Sequence, residues 1–420
     1  MTIIDIICVP ARTGFFRDDQ LSIASGAVHD GFLYRGEART AGFSQIREAG
    51  ISVSIMLILS DGQIALGDCV EVQYAGAAGR DAVMDAAVIV AEINNHVRPL
   101  LLGRSPEQFR PLAKEIELYR CEGRPFPAAV RYGVTQALLH ATALVGRETM
   151  AEVVRREFQT NLEIAPVPLY AQSGDDRYIS VDRMILKQVD VLPHGLINDV
   201  STKLGVNGEL LQDYIVWIRD RILNLRVRVD YAPRLHFDTY GTIGVAFDGN
   251  LDRIADYFHE LSLAAEPFAL RIEHPIDAGS RDAQISTYQA LRRLLADRKI
   301  PVEIVVDEWC NTLEDIRLFV DTGAADVIHV KMPDLGGIDN TIEALLYIKA
   351  AGMAGFCGGA CNETDISARV SAHIAMACGA DQLLAKPGMG VDEGIMIVGN
   401  EMARVVALIS ADRYERTLHV

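Results

Sequence analysis

The chain has 420 residues, of which 40 are lysine or arginine and 57 are aspartate or glutamate, so its formal net charge is −17. Half of its residues are hydrophobic and 23% are charged, a composition that can bury a large core and excludes wholesale disorder. The acidic balance argues against nucleic acid or an anionic membrane surface as the main partner. It is compatible with cation binding, although charge alone does not establish a metal site.

The cysteines and the apolar segments give an expectation about the cellular compartment. The seven cysteines are scattered and form no C-x-x-C pair, which favours reduced thiols in a cytoplasm over a disulfide framework or a zinc site. The N-terminal segment has an apolar run but no basic start and no small-residue cleavage signature. No uncharged apolar stretch reaches the roughly 18 residues of a membrane span, so we expect none.

Residues 1–160 have the irregular pattern of an α+β domain. Two β-rich runs at 52–59 and 63–70 flank a Ser-Asp-Gly turn, which predicts a β-hairpin. Helical periodicity then follows at 82–101, 105–122 and 127–145. We predict that this part is an N-terminal capping domain.

Residues 161–420 change to short β-rich runs separated by helix-length segments such as 210–223 and 251–263. Eight units of this kind in about 250 residues are typical of a TIM-type (β/α)8 barrel. A doubly wound open sheet is the alternative, but no run carries the G-x-G-x-x-G fingerprint that would favour it. The predicted strands are 167–172, 191–196, 234–238, 269–273, 303–307, 327–332, 353–358 and 382–387.

Acidic residues end three consecutive predicted strands. Asp238, Glu273 and Asp307 each follow an apolar run, where an unpaired carboxylate is costly. In a TIM barrel the reactive groups lie at these carboxyl ends. Any one of the acids could instead cap a helix or pair with a basic side chain. All three together favour a divalent metal site, and an all-oxygen set suits Mg2+ or Mn2+ better than Zn2+.

Two basic side chains are candidates for proton transfer. Lys331 lies at the end of the sixth predicted strand, where a cation and desolvation would lower its pKa and suit it to proton abstraction. Taken alone, it would be read as a solvated lysine at the rim. His194, on the second predicted strand, would lie across the barrel from Lys331, where it could hydrogen-bond a carboxylate or act on the opposite face of a substrate.

Three further segments offer polar groups to a substrate. Gln172 ends the first predicted strand, and its amide could bind a carboxylate. Gln73 lies in the loop after the N-terminal hairpin and could close the site from the cap. The segment CGGACNET (357–364) ends the seventh strand, and its glycines let backbone N–H groups approach an anion.

Long motifs in the chain resemble methylaspartate ammonia-lyases, which are members of the enolase superfamily. They run over most of the chain and include AQSGDDRY, DYAP, YGTIG, DEWCNT, PDLGG, CNET and LAKPGMGVDEG. The resemblance implies an enolase-like barrel with an N-terminal α+β cap. It also implies conversion of threo-3-methylaspartate to mesaconate and ammonia by a homodimer that uses Mg2+ and a monovalent cation such as K+.

The same resemblance implies roles for the metal and proton-transfer residues. Asp238, Glu273 and Asp307 would hold Mg2+. Lys331 would be the base for the (S) face, and His194 would serve the other face. Removing a proton next to a carboxylate gives an enediolate dianion, which a metal bound to its oxygens stabilises more than the ground state.

Substrate contacts are implied in the same way. Gln172 and the backbone near Cys361 would hold the C1 carboxylate. Gln73 would contact the amine, and Leu384 would line the methyl pocket.

Four pocket positions depart from the pattern of the family. His329 stands where the family usually has Gln, Ala360 where it has Thr, and Tyr170 and Phe356 where Phe and Tyr are expected. Ala360 would remove one hydroxyl donor to a carboxylate, worth about 1 kcal/mol. We predict an unchanged reaction type and leave open another 3-substituted aspartate as substrate. An isomerase or dehydratase on this scaffold, and an inactive binding protein, are the competing hypotheses.

Overall fold

A computed structural model gives the fold and describes residues 1–72, 75, 80–360, 362–388 and 391–418. The side chains of residues 24 and 412–418 are outside this description. Two predicted site residues, Gln73 and Cys361, therefore lie outside the described residues.

The N-terminal part is built on a three-stranded antiparallel sheet with the order β1-β4-β5. Its strands are β1 (Ile3–Asp18), β4 (Arg47–Leu59) and β5 (Ile64–Cys69). β4 and β5 confirm the predicted hairpin. Alternate residues of β4, from Val53 to Leu59, are fully buried, as expected for a strand with one face on a core.

The sequence analysis did not assign β1 as a strand, although it is the longest one. β1 pairs only with β4 and therefore forms an edge of the sheet. An edge strand tolerates Pro10, which has no N–H to donate to a ladder. The pairing register also shifts between Arg12 and Phe16. These interruptions conceal the period of two that identifies a strand in a sequence.

Among the described residues, helices and two short hairpins complete this part. The helix predicted at 82–101 forms, but with a π-helical segment at its centre, Ile93–Val97. The helices are α1 (Gln20–Ala24), α2 (Ala86–Glu92), α3 (Arg98–Leu101), α4 (Phe109–Leu118) and α5 (Ala128–Gly146). The hairpin strands are β2 (Val28–Asp30), β3 (Leu33–Arg35), β6 (Arg120–Cys121) and β7 (Arg124–Pro125).

Two glycines allow α5 to pack closely against β5. A Cβ at Gly67 would lie 2.2 Å from the carbonyl oxygen of Gly133, and a Cβ at Gly133 would lie 2.5 Å from the backbone nitrogen of Cys69. No real Cβ makes such contacts with backbone atoms. α5 is apolar around most of its circumference, as is typical of a helix buried on all sides.

The second part is a closed barrel of eight parallel strands, as predicted, and the open-sheet alternative is wrong. Its order, β10-β11-β12-β13-β14-β15-β8-β9, follows the chain around the barrel. The boundary predicted at residue 160 falls between the barrel and the last helix before it, and it stays a prediction. The strands are β8 (Leu169–Tyr170), β9 (Val191–His194), β10 (Arg234–Asp238), β11 (Leu270–Glu273), β12 (Val302–Val306), β13 (Val327–Lys331), β14 (Ala354–Gly358) and β15 (Gln382–Leu384).

Helices connect and cover these strands. Thr312 and Thr364 each begin a helix with a reciprocal capping box, which satisfies backbone N–H groups that a first turn leaves free. A π-helical turn spans Val200–Leu204. The helices are α6 (Met150–Glu157), α7 (Arg177–Leu186), α8 (Glu209–Leu225), α9 (Thr242–Ala246), α10 (Leu251–Ala265), α11 (Arg281–Arg298), α12 (Leu313–Asp321), α13 (Ile338–Ala350), α14 (Asp365–Cys378) and α15 (Val391–Leu418).

The last helix bears on the expectation that no segment spans a membrane. Within α15, Val391–Ala411 is long and apolar enough to cross one by length and composition. α15 packs against α14 and α7, and Val398, Met402 and Val405 are buried. Only 28% of that window is buried inside the protein, and the expectation that no segment spans a membrane stays a prediction.

We predict that Gly133→Ala destabilises the protein, whereas Gly399→Ala does not. The added methyl at 133 would collide with the backbone of β5, and overpacking of this kind costs about 1–3 kcal/mol. Gly399 is also helical, but nothing lies within 4 Å of its Cβ position, so alanine there should leave stability unchanged or raise it. Thermal melting followed by circular dichroism measures both. Equal melting temperatures for the two variants would contradict the close packing.

Candidate active site

The three predicted acids lie together at the carboxyl end of the barrel. Asp238 and Glu273 end β10 and β11 and are direct neighbours in the strand register, while Asp307 follows the last residue of β12. Their exposed fractions are 4%, 1% and 7%. Parallel strands bring their carboxyl ends to the same edge, so three consecutive strands deliver three buried carboxylates to one place.

The tightest group of possible metal ligands differs from the predicted one. Among the described residues, one ligand atom each from Glu273, Asp307 and His329 lies within 4.8 Å of the others. His329 Nδ1 is 2.7 Å from Glu273 Oε1 and 3.3 Å from Asp307 Oδ1. Asp238 is not in this group, and its Oδ2 lies 3.3 Å from His194 Nε2. His329, expected among the substrate contacts, is thus a basic neighbour of two acids.

Burial and like charge work against ionisation of these acids. Burial raises the pKa of Asp238, and the carboxylate of Glu273 raises it further, while His194 opposes both. Burial also acts to raise the pKa of Glu273, but His329 and His236 outweigh burial and hold that pKa well below its usual value. The histidines therefore offset the negative charge of carboxylates that neighbouring strand ends bring together.

Lys331 is the last residue of β13 and faces Asp307. Its Nζ lies 2.8 Å from Oδ1 and 2.9 Å from Oδ2 of that carboxylate, and 3.8 Å from Glu308. Burial alone lowers the pKa of Lys331, but Asp307 and Glu308 outweigh burial and raise it. In the chain itself the carboxylates therefore dominate. The expected lowering included the charge of a bound cation, and it stays a prediction for the cation-bound protein.

His194 and Lys331 lie on opposite sides of the barrel, as the sequence predicts. They end β9 and β13, which are four strands apart in either direction around the eight-stranded barrel. His194 has a φ of +67°, uncommon for a residue with a side chain and a frequent feature of functional sites. Both side chains border one cavity, whose lining also includes Gln172, Asp238, Asp307, His329 and Ala360.

Three further predicted residues lie behind this lining. Tyr170, Phe356 and Leu384 are buried members of an apolar cluster inside the barrel. The Phe356 ring stacks on His329 with centroids 4.1 Å apart, and Tyr170 stacks on His236 at 4.5 Å. The aromatic pair thus supports histidines near Glu273. Direct contact of these three residues with a substrate stays a prediction, as do the roles of Gln73 and Cys361.

Sequence reasoning missed His236, which holds Glu273 in place. Its Nε2 lies 2.7 Å from Glu273 Oε2, and Gln382 lies 2.9 Å from its other ring nitrogen. The signal was present in the strand sequence RLHFD. Alternate residues of a strand point to the same side, so His236 shares the interior face with Asp238.

A second network, also missed, joins the N-terminal part to the top of the barrel. Arg80 has a side chain only 4% exposed, and its guanidinium lies 2.8 Å from Glu308 and 3.0 Å from Asp334. Glu308 is shared with Lys331, and although burial opposes it, Lys331 and Arg80 lower the pKa of Glu308 to about 2. Asp334 belongs to the PDLGG loop quoted for the resemblance, whereas nothing in the sequence marks Arg80 as its partner.

Comparisons with known proteins agree with this geometry. The family profile of the methylaspartate ammonia-lyase N-terminus matches residues 1–159, and that of the C-terminus matches residues 161–411. The methylaspartate ammonia-lyase of Clostridium tetanomorphum is 52% identical over 409 residues, which are 97% of this chain and 99% of the relative.

Solved structures give the same result. An Mg complex of beta-methylaspartase from Clostridium tetanomorphum is 52% identical, has a TM-score of 0.95, and is matched over 98% of this chain and 100% of that chain. The Citrobacter amalonaticus enzyme containing (2S,3S)-3-methylaspartic acid is 48% identical with a TM-score of 0.96 and the same coverage. Muconate lactonizing enzyme from Pseudomonas putida, 18% identical with a TM-score of 0.59, shares the fold. The chain belongs to the methylaspartate ammonia-lyase family and is a carbon–nitrogen lyase.

Proposed function

We propose that this lyase removes the C3 proton and then ammonia from threo-3-methylaspartate, giving mesaconate. The observation that carries the proposal is a buried carboxylate cluster with Lys331 and His194 on opposite sides. Two relatives support it, one solved as an Mg complex and one containing (2S,3S)-3-methylaspartic acid. The cation would be Mg2+, with Mn2+ as the alternative.

The residues present fit a hard divalent cation. Glu273 and Asp307 are buried and converge, and the raised pKa of Asp238 reflects its burial first and then the negative charge of Glu273, which a cation would relieve. We assign all three acids to the metal site. A bound divalent cation would stabilise the charge that develops on the substrate carboxylate and would compete with Lys331 for Asp307.

Lys331 is assigned as the base for one face of C3. A lysine must be neutral to accept a proton, and its contact with Asp307 favours the charged form. Lys331 therefore has to leave that carboxylate before it acts. Glu308, at 3.8 Å, also favours the charged form, so a bound cation would have to offset both carboxylates.

His194 is assigned to the opposite face. Its Nε2 faces Asp238, which fixes the ring beside the cavity. A base on each side would let the protein process both epimers at C3, each by its own side chain. With two bases, removal of one side chain would slow the reaction of one epimer only. With a single base and a mobile substrate, removal of that base would slow the reaction of both epimers.

Polar groups at the cavity rim are assigned to the substrate carboxylate remote from the proton that is lost. Gln172 and the Gly359–Ala360 backbone both border the cavity. By resemblance, Cys361 would contribute its backbone and Gln73 would contact the amine. Leu384 would limit the space for the 3-methyl group from inside the barrel.

The assembly and setting are further proposals. The six cysteines in the described part of the chain form no disulfide, which supports a reducing cytoplasm. A homodimer and activation by K+ rest on the family resemblance alone.

The first prediction from the proposed function is ammonia release from threo-3-methylaspartate in the presence of Mg2+. Lys331→Ala should lower the rate for the epimer that it serves by about 10²–10⁴-fold, the usual contribution of a positioned base. Lys187→Ala is the matched control, since Lys187 lies on the surface and pairs with Asp392. Absence of ammonia with the wild-type protein, or unchanged rates in Lys331→Ala, would contradict the proposal.

The second prediction concerns which face each base serves. In deuterated water, substrate recovered before completion should carry deuterium at C3. Lys331→Ala should abolish exchange from one C3 epimer and His194→Ala from the other, as measured by NMR. Loss of exchange from both epimers in either single variant would show that the two side chains do not act on separate faces.

The third prediction concerns the substrate. An apolar pocket distinguishes one methyl group by about 10–200-fold, so kcat/KM for 3-methylaspartate should exceed that for aspartate by this order. The comparison should include aspartates with larger 3-substituents, because Ala360 removes a hydroxyl from the predicted pocket. A clear preference for one of these would replace 3-methylaspartate as the proposed substrate.

A further inference from the structure

We propose that His329 is a nitrogen ligand of the cation held by Glu273 and Asp307. Relative to Mg2+, this chain would therefore bind Mn2+ or a later first-row divalent metal more tightly than a site with oxygen ligands alone does. The inference rests on the proposed function, because it concerns the same cation site, and it adds a ligand and a metal preference to it.

The position of the imidazole is the first argument. His329 Nδ1 lies 2.7 Å from Glu273 Oε1 and 3.3 Å from Asp307 Oδ1, so all three atoms face the same small volume. Within the described residues, these three side chains form the one group of possible ligands that is this compact. Asp238, an acid of the predicted metal set, is not part of the group.

The imidazole is also held in this orientation. The Phe356 ring stacks on one of its faces, with centroids 4.1 Å apart and planes inclined by 28°. The far edge of the ring lies against β14, where a Cβ on Gly358 would be 2.0 Å from His329 Nε2. Glycine at 358 thus makes room for the histidine. A ring enclosed in this way presents Nδ1 to the carboxylates without a further loss of side-chain freedom.

Ligand chemistry sets the preference among metals. Mg2+ favours oxygen ligands and retains water, whereas imidazole nitrogen suits Mn2+ less than the later metals but better than Mg2+. An imidazole added to the carboxylate ligands therefore moves selectivity away from Mg2+. This shift in metal selectivity disappears if the imidazole only donates a hydrogen bond to Glu273 and does not bind the cation.

A second imidazole provides the matched control. His194 Nε2 lies 3.3 Å from Asp238 Oδ2, on the other side of the cavity. Its removal eliminates a nearby histidine while the proposed nitrogen ligand stays. Comparison of His329→Gln with His194→Gln therefore identifies which ring supplies any nitrogen detected at the metal.

The experiment uses the full chain, stripped of metal with a chelator and loaded with Mn2+. Pulsed electron paramagnetic resonance should show coupling of Mn2+ to nitrogen in the wild-type protein and in His194→Gln, but not in His329→Gln. Labelling with 15N-histidine should change the isotope signature in the wild type. Mn2+ affinity should fall at least about tenfold in His329→Gln, the loss that follows even when a partner of a ligand is removed.

Titration with Mg2+ by calorimetry separates the possible failures. His329→Gln should lose less affinity for Mg2+ than for Mn2+, and retained Mg2+ binding also shows that the variant is folded. Bound Mn2+ without nitrogen coupling in the wild type, or coupling that persists in His329→Gln, would overturn the inference and leave the proposed function intact. A wild-type protein that binds neither ion would overturn both.

Discussion

The structure depends on the burial of three carboxylates at one end of the barrel. Asp238, Glu273 and Asp307 are each less than one-tenth exposed, and like charges at short range in a medium of low dielectric repel strongly. Positive groups must therefore come from elsewhere on the barrel wall. His329 and Lys331 on β13 meet Glu273 and Asp307, while His194 on β9 meets Asp238. The barrel makes this possible because closure brings strands from all sides to one rim.

Charge compensation also extends beyond the cavity. Glu308 is shared between Lys331 and Arg80, and Arg80 in turn contacts Asp334. Breaking such a buried network typically costs several kcal/mol, since it leaves a charge without a partner. The N-terminal part thus supplies, through Arg80, a positive charge to the barrel rim and reaches Lys331 by way of Glu308.

Much of this arrangement is readable from the sequence because the relevant signals are local. The acids follow apolar strands, and strand ends in a barrel converge, so Asp238, Glu273 and Asp307 are predictable as a set. The opposition of His194 and Lys331 follows from strand order alone. The pairing of Arg80 with Asp334 and the contact of His329 with Glu273 depend on rotamers and on chain segments far apart in sequence. No periodicity encodes them. The direction in which the pKa of Lys331 shifts has the same dependence, because it is set by the charges that lie within a few ångströms, Asp307 and Glu308 among them.

The positions that depart from the family's pattern are not scattered through the pocket. His329 lies beside Glu273 and stacks on Phe356, whose ring meets Tyr170 edge to face at 5.8 Å. Tyr170 in turn stacks on His236, the other partner of Glu273. Three of the four changes therefore form one contiguous group around a single carboxylate, while Ala360 follows β14 and borders the cavity together with His329. Tyr170 and Phe356 also belong to the apolar cluster that includes Leu384, and Tyr170 is paired with Leu384 in the strand register. The divergence of this chain therefore surrounds Glu273 and extends to the predicted methyl pocket, so it bears both on the coordination of a cation and on the fit of the substrate.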